Sequence, residues 1–153
     1  MLHSTIRTLA TPLLLSYLVH AIPVSLVVRD TDEAYALSNC VNNITRAAYA
    51  SVLYYSDFSI VSEVPPDSIG SIKREGSVTW EGHTWNITTP FKFSATIFAN
   101  ATTAAYDTYV GPALTSTYAG PSQALKWDGE LIYTPKTNVN CFADYLVVDA
   151  SVY

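Results

Sequence analysis

Alternating apolar and polar residues along the middle of the chain predict several short β-strands. The segment 49–58 carries apolar side chains on both faces, which favours a central position in a sheet. In 91–99 apolar residues alternate with mainly polar ones, and Pro90 marks where that strand begins. A last strand is predicted at 142–148, with Cys141 at its entrance.

Two β-hairpins are predicted where a two-residue link containing glycine joins two alternating segments. The first consists of 77–80, Glu81-Gly82 and 83–88, and the second of 123–127, Asp128-Gly129 and 130–134. The glycine in each link can adopt the positive φ that a tight turn requires. Asn86 falls on the polar face of the first hairpin.

Short helices are predicted at two places. Asp30 or Thr31 is placed to cap a helix that runs through residue 39, and Asn100 is placed to cap one over 101–110. Together with about six short strands, they indicate a mainly β fold: a small antiparallel β-sandwich or open barrel with one or two short helices. An α+β sheet fits the same pattern and is the alternative.

Residues 1–21 have the organisation of a cleavable signal peptide. Arg7 lies in a first region without acidic residues, and an apolar stretch of about 11 residues follows, shorter than the ~20 that a membrane span needs. Val19 and Ala21 supply the small residues of a cleavage site. A buried N-terminal helix is the alternative, and Pro12 and Pro23 argue against it.

The remaining segment, 22–153, has the length of a single domain, and its composition restricts its partners. The chain has 8 basic and 13 acidic residues and a net charge of −5, without a run of basic residues. Nucleic acid is therefore a poor partner, and no second apolar stretch is long enough for membrane insertion. These features predict a secreted, extracellular protein whose partner is an unidentified protein or glycan.

The chain has 2 cysteines, Cys40 and Cys141. In a secretory compartment such a pair most simply forms a disulfide. The bond would close a loop of about 100 residues, for which the chain-entropy model gives about 4–5 kcal/mol at most. Two free buried thiols are the alternative.

Three N-glycosylation sequons of the form Asn-x-Thr occur in the predicted domain, at Asn43, Asn86 and Asn100. None has proline at the middle position. Each of these asparagines, if it carries a glycan, lies on the protein surface.

No catalytic, metal or cofactor site is predicted, and the sequence leans against an enzyme. His83 is the only histidine after the predicted signal peptide, so no His/Cys cluster has the spacing of metal ligands. A Gly-x-Ser-x-Gly nucleophile motif is also absent from the sequence. Paired carboxylates for glycoside hydrolysis are the enzymatic alternative, with Glu81, Asp128 and Glu130 as the candidates.

Exposed aromatic residues can stack on sugars or anchor a protein interface. The candidates for such a binding surface are Trp80, Trp85, Trp127, Tyr54 and Tyr55. For each of them the alternative is a place in the hydrophobic core, since a domain of this size needs large apolar side chains.

Lys73-Arg74, in the loop predicted before the first hairpin, is a candidate for dibasic processing. Cleavage there would leave two fragments joined by the predicted disulfide, as in some secreted toxins. An ordinary exposed basic pair is the alternative.

Short motifs give the chain a resemblance to a group of known proteins. In the order of these motifs the chain resembles small secreted, effector-like proteins of filamentous fungi. The motifs are Cys40, residues 54–57, Trp80-Glu81-Gly82 and residues 128–133. The resemblance implies secretion and a compact β-rich domain, and it brings no catalytic residue. Such proteins often have four or more cysteines, whereas this chain has 2.

The sequence therefore favours a secreted, non-enzymatic interaction protein, effector-like or toxin-like. One alternative is an extracellular carbohydrate-binding protein or a small glycoside hydrolase. The other is a structural component of a cell wall or surface.

Overall fold

The computed structural model describes residues 33–57, 64–116, 121–136 and 138–152. The predicted signal peptide, 1–21, lies outside these residues. Within them the chain is mainly β, as predicted, and the helical content is limited to two 3₁₀ turns, Ala101–Thr103 and Ala150–Val152.

The strands form a single antiparallel sheet of 8 strands. In chain order they are β1 (Ala34–Asn42), β2 (Ala48–Tyr55), β3 (Ser68–Lys73), β4 (His83–Ile87), β5 (Phe93–Ile97), β6 (Tyr109–Thr115), β7 (Ser122–Lys136) and β8 (Val139–Asp149). The order across the sheet is β3-β2-β1-β8-β7-β6-β5-β4. Each strand therefore lies beside its neighbours in sequence, β8 returns to β1, and only β3 and β4 remain unpaired with each other. This is an up-and-down barrel that is open along one side, one of the two predicted architectures.

The disulfide joins the first and last strands of the barrel. Cys40 in β1 and Cys141 in β8 are direct partners in the register of the two strands. They form the predicted disulfide, with their Cα atoms 3.9 Å apart across a sequence separation of 101. Both side chains are buried, so the bond reinforces a hydrogen-bonded seam inside the protein.

Side chains close the opposite side of the barrel, where β3 and β4 do not pair. A Cβ atom added at Gly70 in β3 would lie 2.5 Å from Cδ1 of Ile87 in β4 and 3.0 Å from Cζ of Phe91. The absence of a side chain at Gly70 lets the two edge strands approach closely. Packing takes the place of a hydrogen-bonded ladder here.

Alternate residues of the strands point inward and form the main core. Its large members include Tyr35, Leu37, Trp80, Phe93, Ile97 and Tyr145. A second apolar cluster contains the intervening residues Ala36, Leu53 and Leu146, together with Ile132 and the disulfide. Strands β1 and β8 are consequently buried on both faces.

The helix predicted to run through residue 39 is wrong in the part that the structure describes, because residues 34–42 form β1. Leu37 contacts the main core, while Ala36 contacts the second cluster. Pairing with β2 on one side and β8 on the other, with burial of both faces, outweighs the local helix preference.

The first predicted hairpin is wrong in its pairing. Residues 83–87 form a strand as predicted, and Gly82 has a positive φ of 75°, but β4 pairs with β5. The segment 77–80 is not a strand. Its Val78 is hydrogen-bonded to the side chain of Asn39, through N to Oδ1 at 3.0 Å and through O to Nδ2 at 3.1 Å. A contact with a distant residue thus replaces the predicted ladder.

The second predicted hairpin is also wrong, because β7 continues through Asp128-Gly129. The register with β8 shifts at this point: Lys126 pairs with Tyr145, and Glu130 pairs with Ala143. Gly129 has a φ of 67°, so the Asp-Gly pair forms a bulge within one long strand. The bulge forms because β8 continues alongside β7 on both sides of it.

The helix predicted over 101–110 is wrong beyond its first turn. Only Ala101–Thr103 is helical, and the side chain of Asn100 makes no capping hydrogen bond. Residues 109–115 form β6, which pairs with β5 and β7. The segment 109–115 forms a strand because β5 and β7 are available as pairing partners on its two sides, whereas its own residues have little preference for helix or strand.

Three predicted strands are confirmed. The segments 49–58, 91–99 and 142–148 correspond to β2, β5 and β8, except that residue 58 lies outside the described residues. In β5 the side chains of Phe93, Ala95 and Ile97 are buried, as the alternation predicts.

Candidate functional site

A group of polar side chains meets at the core, where the segment before β4 crosses β8. We refer to these residues as the carboxylate cluster: Asn39, Trp80, Glu81, Lys126, Asp144 and Tyr145. Trp80 Nε1 donates a hydrogen bond to Asp144 Oδ2 at 3.0 Å, and the Tyr145 hydroxyl donates one to Glu81 Oε1. Two consecutive residues of one segment thus bind two consecutive residues of the other.

Asp144 reaches the cluster because the sheet is irregular on both sides of it. In the β1–β8 ladder, Leu37 pairs with Tyr145 and Ser38 with Ala143, so Asp144 has no partner in β1. The β7 ladder also passes from Tyr145 to Ala143 without pairing Asp144. Bulges redirect side chains and are common beside functional sites. Here they place a carboxylate next to the inward-facing Tyr145.

Asn39 holds Asp144 in place and also fixes the segment before β4. Its Nδ2 donates a hydrogen bond to Asp144 Oδ2 at 2.8 Å. The same side-chain amide is hydrogen-bonded to the backbone of Val78 through both its Nδ2 and its Oδ1. Asp144 Oδ2 therefore accepts hydrogen bonds from both Asn39 and Trp80. Asn39 is not among the site residues that the sequence predicts, because the sequence pattern places it at the end of a helix.

The pKa values of the two carboxylates, Asp144 and Glu81, are shifted in opposite directions. Burial raises the pKa of Asp144, and the charge of Glu81 adds to that effect, although hydrogen bonds from Asn39 and Trp80 oppose it. For Glu81 burial also opposes ionisation, but the hydrogen bonds, led by that from Tyr145, outweigh it and lower the pKa. Burial and the Glu81 hydrogen bond raise the pKa of Tyr145. The Lys126 ammonium lies 4.7 Å from the centre of the Tyr145 ring.

A second feature is an aromatic surface on the outer side of the sheet, consisting of Phe98, Tyr106, Tyr109 and Trp127. The Phe98 and Tyr109 rings are 5.6 Å apart and nearly perpendicular, and those of Tyr106 and Trp127 are 4.7 Å apart. Phe98, Tyr106 and Tyr109 are 41%, 46% and 48% exposed. Tyr109 pairs with Leu125 in β7, two residues before Trp127, so one ring of each pair lies on the adjoining strands β6 and β7. Phe98 directly follows β5, and Tyr106 precedes β6.

Of the five aromatic residues predicted to form a binding surface, only Trp127 belongs to this one, through its contact with Tyr106. Trp127 itself is half-buried against the second apolar cluster. Trp80 and Tyr55 are buried, with 1% and 2% of their surface exposed, as the core alternative holds. Trp85 and Tyr54 are half-buried and pack against the main core. Trp85 Nε1 donates to the Trp80 carbonyl at 2.9 Å.

The sequence offered one signal for the rest of the aromatic surface. Phe98 occupies the polar side of the strand predicted at 91–99, where an aromatic residue is unexpected. Tyr106 and Tyr109 carried no such signal, because both fall in the segment that was predicted to be helical.

The other predicted positions lie on the surface. Asn43, Asn86 and Asn100 are exposed, as are Lys73 at the end of β3 and Arg74 after it. The candidate carboxylates Asp128 and Glu130 are exposed on the β7 bulge, whereas Glu81 lies beside Asp144.

The described part of the chain contains no group of three or more His, Cys, Asp or Glu side chains that could hold a metal ion. In the same residues, none of the helices has the length and apolar character needed to cross a membrane. No protein-family model, curated protein or solved structure matches this chain.

Proposed function

We propose that this chain is a secreted, non-enzymatic binding protein that recognises its partner through the aromatic surface. The observation that carries the proposal is the exposure of Phe98, Tyr106 and Tyr109, each more than 40%. The core already contains large aromatic residues, among them Tyr35, Trp80 and Tyr145. The exposed rings are therefore additional to those that fill the barrel, and clustered exposed aromatic residues mark binding surfaces.

The aromatic surface has the physical properties of a contact site. Its rings offer large contact areas and lose little side-chain entropy on binding, because each has only two rotatable bonds. Contact between rings restrains Phe98 against Tyr109 and Tyr106 against Trp127 before a partner binds. The barrel beneath them, in which the disulfide joins β1 to β8, keeps the strands in place. The partner is a protein or a glycan, in keeping with an effector-like or toxin-like role.

The test is a binding screen with the secreted protein against glycan arrays and against proteins from the surfaces that it would meet. The double variant Phe98→Ser/Tyr109→Ser is expected to lose binding while its circular dichroism and melting temperature stay close to wild type. Ile69→Ser is the matched control, since Ile69 is 46% exposed on β3, away from the aromatic surface. Binding that survives in the double variant would reject the proposed surface.

A second candidate function, small glycoside hydrolase, is favoured by the opposite pKa shifts of Glu81 and Asp144. Carboxylates whose surroundings drive their pKa values apart are suited to the base and acid roles of glycoside hydrolysis. Burial raises the pKa of Asp144 above its ordinary value of 3.8, whereas for Glu81 the effect of burial is overcome by hydrogen bonds, led by that from Tyr145, which lower its pKa below 4.5. Both side chains remain partly accessible to solvent.

The hydrolase is tested with a panel of chromogenic glycosides and polysaccharides. Turnover that disappears in both Glu81→Gln and Asp144→Asn, with folding intact, would establish it and displace the binding protein. Asp128→Asn is the control, because Asp128 lies exposed on the bulge. Equal, low turnover in wild type and all three variants would remove the hydrolase.

A further inference from the structure

The three sequon asparagines occupy different settings on the surface. Asn43 lies in the turn after β1, and Asn100 immediately precedes the 3₁₀ turn. Asn86 lies within β4, at the edge of the sheet. In β4 the side chain of Ile87 is buried and that of Asn86 is exposed, so Asn86 points away from the core.

Across the outer face of the sheet, Asn86 is at one end of a row of paired residues. Asn86 pairs with Ser94 in β5, and Ser94 pairs with Leu114 in β6. The middle of this row is occupied by the short side chain of Ser94, while Leu114 is 68% exposed. The protein surface is therefore depressed at Ser94, between Asn86 and Leu114.

An open cleft of about 390 Å³ lies over this row, within the range of about 300–1,000 Å³ that small-molecule sites occupy. Its lining includes Asn86 itself and the apolar side chain of Leu114. The other polar residues of the lining are Thr88, Lys92, Ser94, Thr115 and Ser116. Neither Asn43 nor Asn100 lines the cleft. A sugar attached to Asn86 would thus begin inside a cleft that the other two sequons do not reach.

We propose that Asn86 carries an N-linked glycan and that its first N-acetylglucosamine residues lie in this cleft against Leu114. The inference rests on the secretory part of the proposed function, since glycosylation requires entry into that pathway. Leu114 contacts the apolar face of the sugar, and the hydroxyl and ammonium groups of the lining bind its oxygens. The glycan covers Leu114, which is 68% exposed.

The test uses three proteins, each with a single sequon asparagine retained and the other two changed to Gln. All three are secreted from a eukaryotic host under a heterologous signal peptide, so that entry into the pathway does not depend on residues 1–21. The rate of glycan release by a glycoamidase is measured on folded and on denatured protein. Because the enzyme reaches the glycan only after the sugar leaves Leu114, this contact is expected to slow release about tenfold.

We expect the Asn86 glycan to be released about tenfold more slowly than those at Asn43 and Asn100 from folded protein, and equally fast after denaturation. Leu114→Ser in the Asn86 protein is expected to remove most of the protection. Leu131→Ser, which replaces the partly exposed Leu131 of β7, is the matched control and is expected to keep it. An unmodified Asn86, or equal release rates from all three folded proteins, would overturn the inference.

Failure of this inference and failure of the proposed binding function are separable. The aromatic surface contains none of the residues that line the cleft. The Phe98→Ser/Tyr109→Ser variant can lose partner binding without any change in the rates of glycan release. An Asn86 without a glycan, in turn, leaves the aromatic surface intact. In a parallel culture the protein is expressed with its own residues 1–21, and its secretion there tests the predicted signal peptide separately.

Discussion

Tyr145 in β8 donates a hydrogen bond from its phenol to the carboxylate of Glu81, 64 residues earlier in the chain. Beside it, the Trp80 indole donates to Asp144, also 64 residues away. Because both contacts join the segment before β4 to the last strand, they form only when the barrel is assembled. The lowered pKa of Glu81 is therefore a property of the folded state.

Replacing Tyr145 with Phe is expected to raise the pKa of Glu81 and to destabilise the protein by about 1 kcal/mol near neutral pH, because it removes one hydrogen bond and keeps the ring. Since the folded-state pKa of Glu81 lies below 4.5, its stabilising contribution is full above that pH and is lost as the pH falls through the folded value. The variant should show a weaker loss of stability on acidification. Carboxyl NMR titration and urea unfolding at a series of acidic pH values measure both effects. Tyr49→Phe is the control, and an unshifted Glu81 in Tyr145→Phe would contradict the assignment.

Removing the disulfide with Cys40→Ala/Cys141→Ala is expected to lower the free energy of unfolding by about 2–4 kcal/mol, because the bond restricts a long loop in the unfolded chain. Urea denaturation with and without reductant measures the change. Reductant should bring the wild type to the stability of the variant and leave the variant itself unaffected. Equal stability of the two proteins under oxidising conditions would show that strand pairing alone holds β1 to β8.

Adding a methyl group at Gly70 tests whether packing closes the side of the barrel between β3 and β4. Gly70→Ala is expected to cost about 1–3 kcal/mol, since the new Cβ would crowd Ile87 and Phe91. The smaller side chain in Gly70→Ala/Ile87→Val should recover part of that loss, and thermal unfolding of the single and double variants measures the coupling. Gly111→Ala provides the contrast: its Cβ would lie 1.7 Å from the backbone oxygen of Thr96, which trimming a side chain cannot relieve. A neutral Gly70→Ala would mean that β3 and β4 are not in contact.

Alkaline unfolding is expected to depend on Tyr54. Burial, followed by its hydrogen bond to Glu33 and the charge of that residue, raises the pKa of Tyr54 from 10.0 to about 12. Because the folded value exceeds the unfolded one, the contribution of Tyr54 to stability is full below pH 10.0 and is lost as the pH rises towards about 12. Tyr54→Phe should therefore flatten the fall in stability over this range, and Glu33→Gln should flatten it partly. Chemical unfolding at a series of alkaline pH values measures the slopes, and a slope that neither variant changes would exclude this role.

The sequence predicted those elements whose local pattern and burial agree. In β5 the inward positions Phe93, Ala95 and Ile97 alternate with more polar ones, and the strand formed as predicted. The Cys40–Cys141 pairing also followed from the sequence, because only 2 cysteines exist. Neither inference required knowledge of the neighbouring strands.

The errors occur where a partner from elsewhere in the chain decides the conformation. Asp128-Gly129 is compatible with a tight turn or with a bulge, and the continuation of β8 alongside β7 selects the bulge. Val78 has the pattern of a strand residue, but its backbone is bonded to Asn39. The segment that contains Tyr109 becomes a strand because β5 and β7 lie on either side of it.

The candidate sites divide in the same way. By itself, the sequence determined a mainly antiparallel β fold, the disulfide pair and the sequon positions, because each follows from local alternation or from residue identity. Only the tertiary structure decided that Trp80 is buried, that Glu81 lies near enough to Asp144 to affect its pKa, and that Phe98 and Tyr109 form an exposed ring pair. These relationships depend on strand order and on bulges, which are set by packing between residues far apart in the chain and leave no local pattern in the sequence.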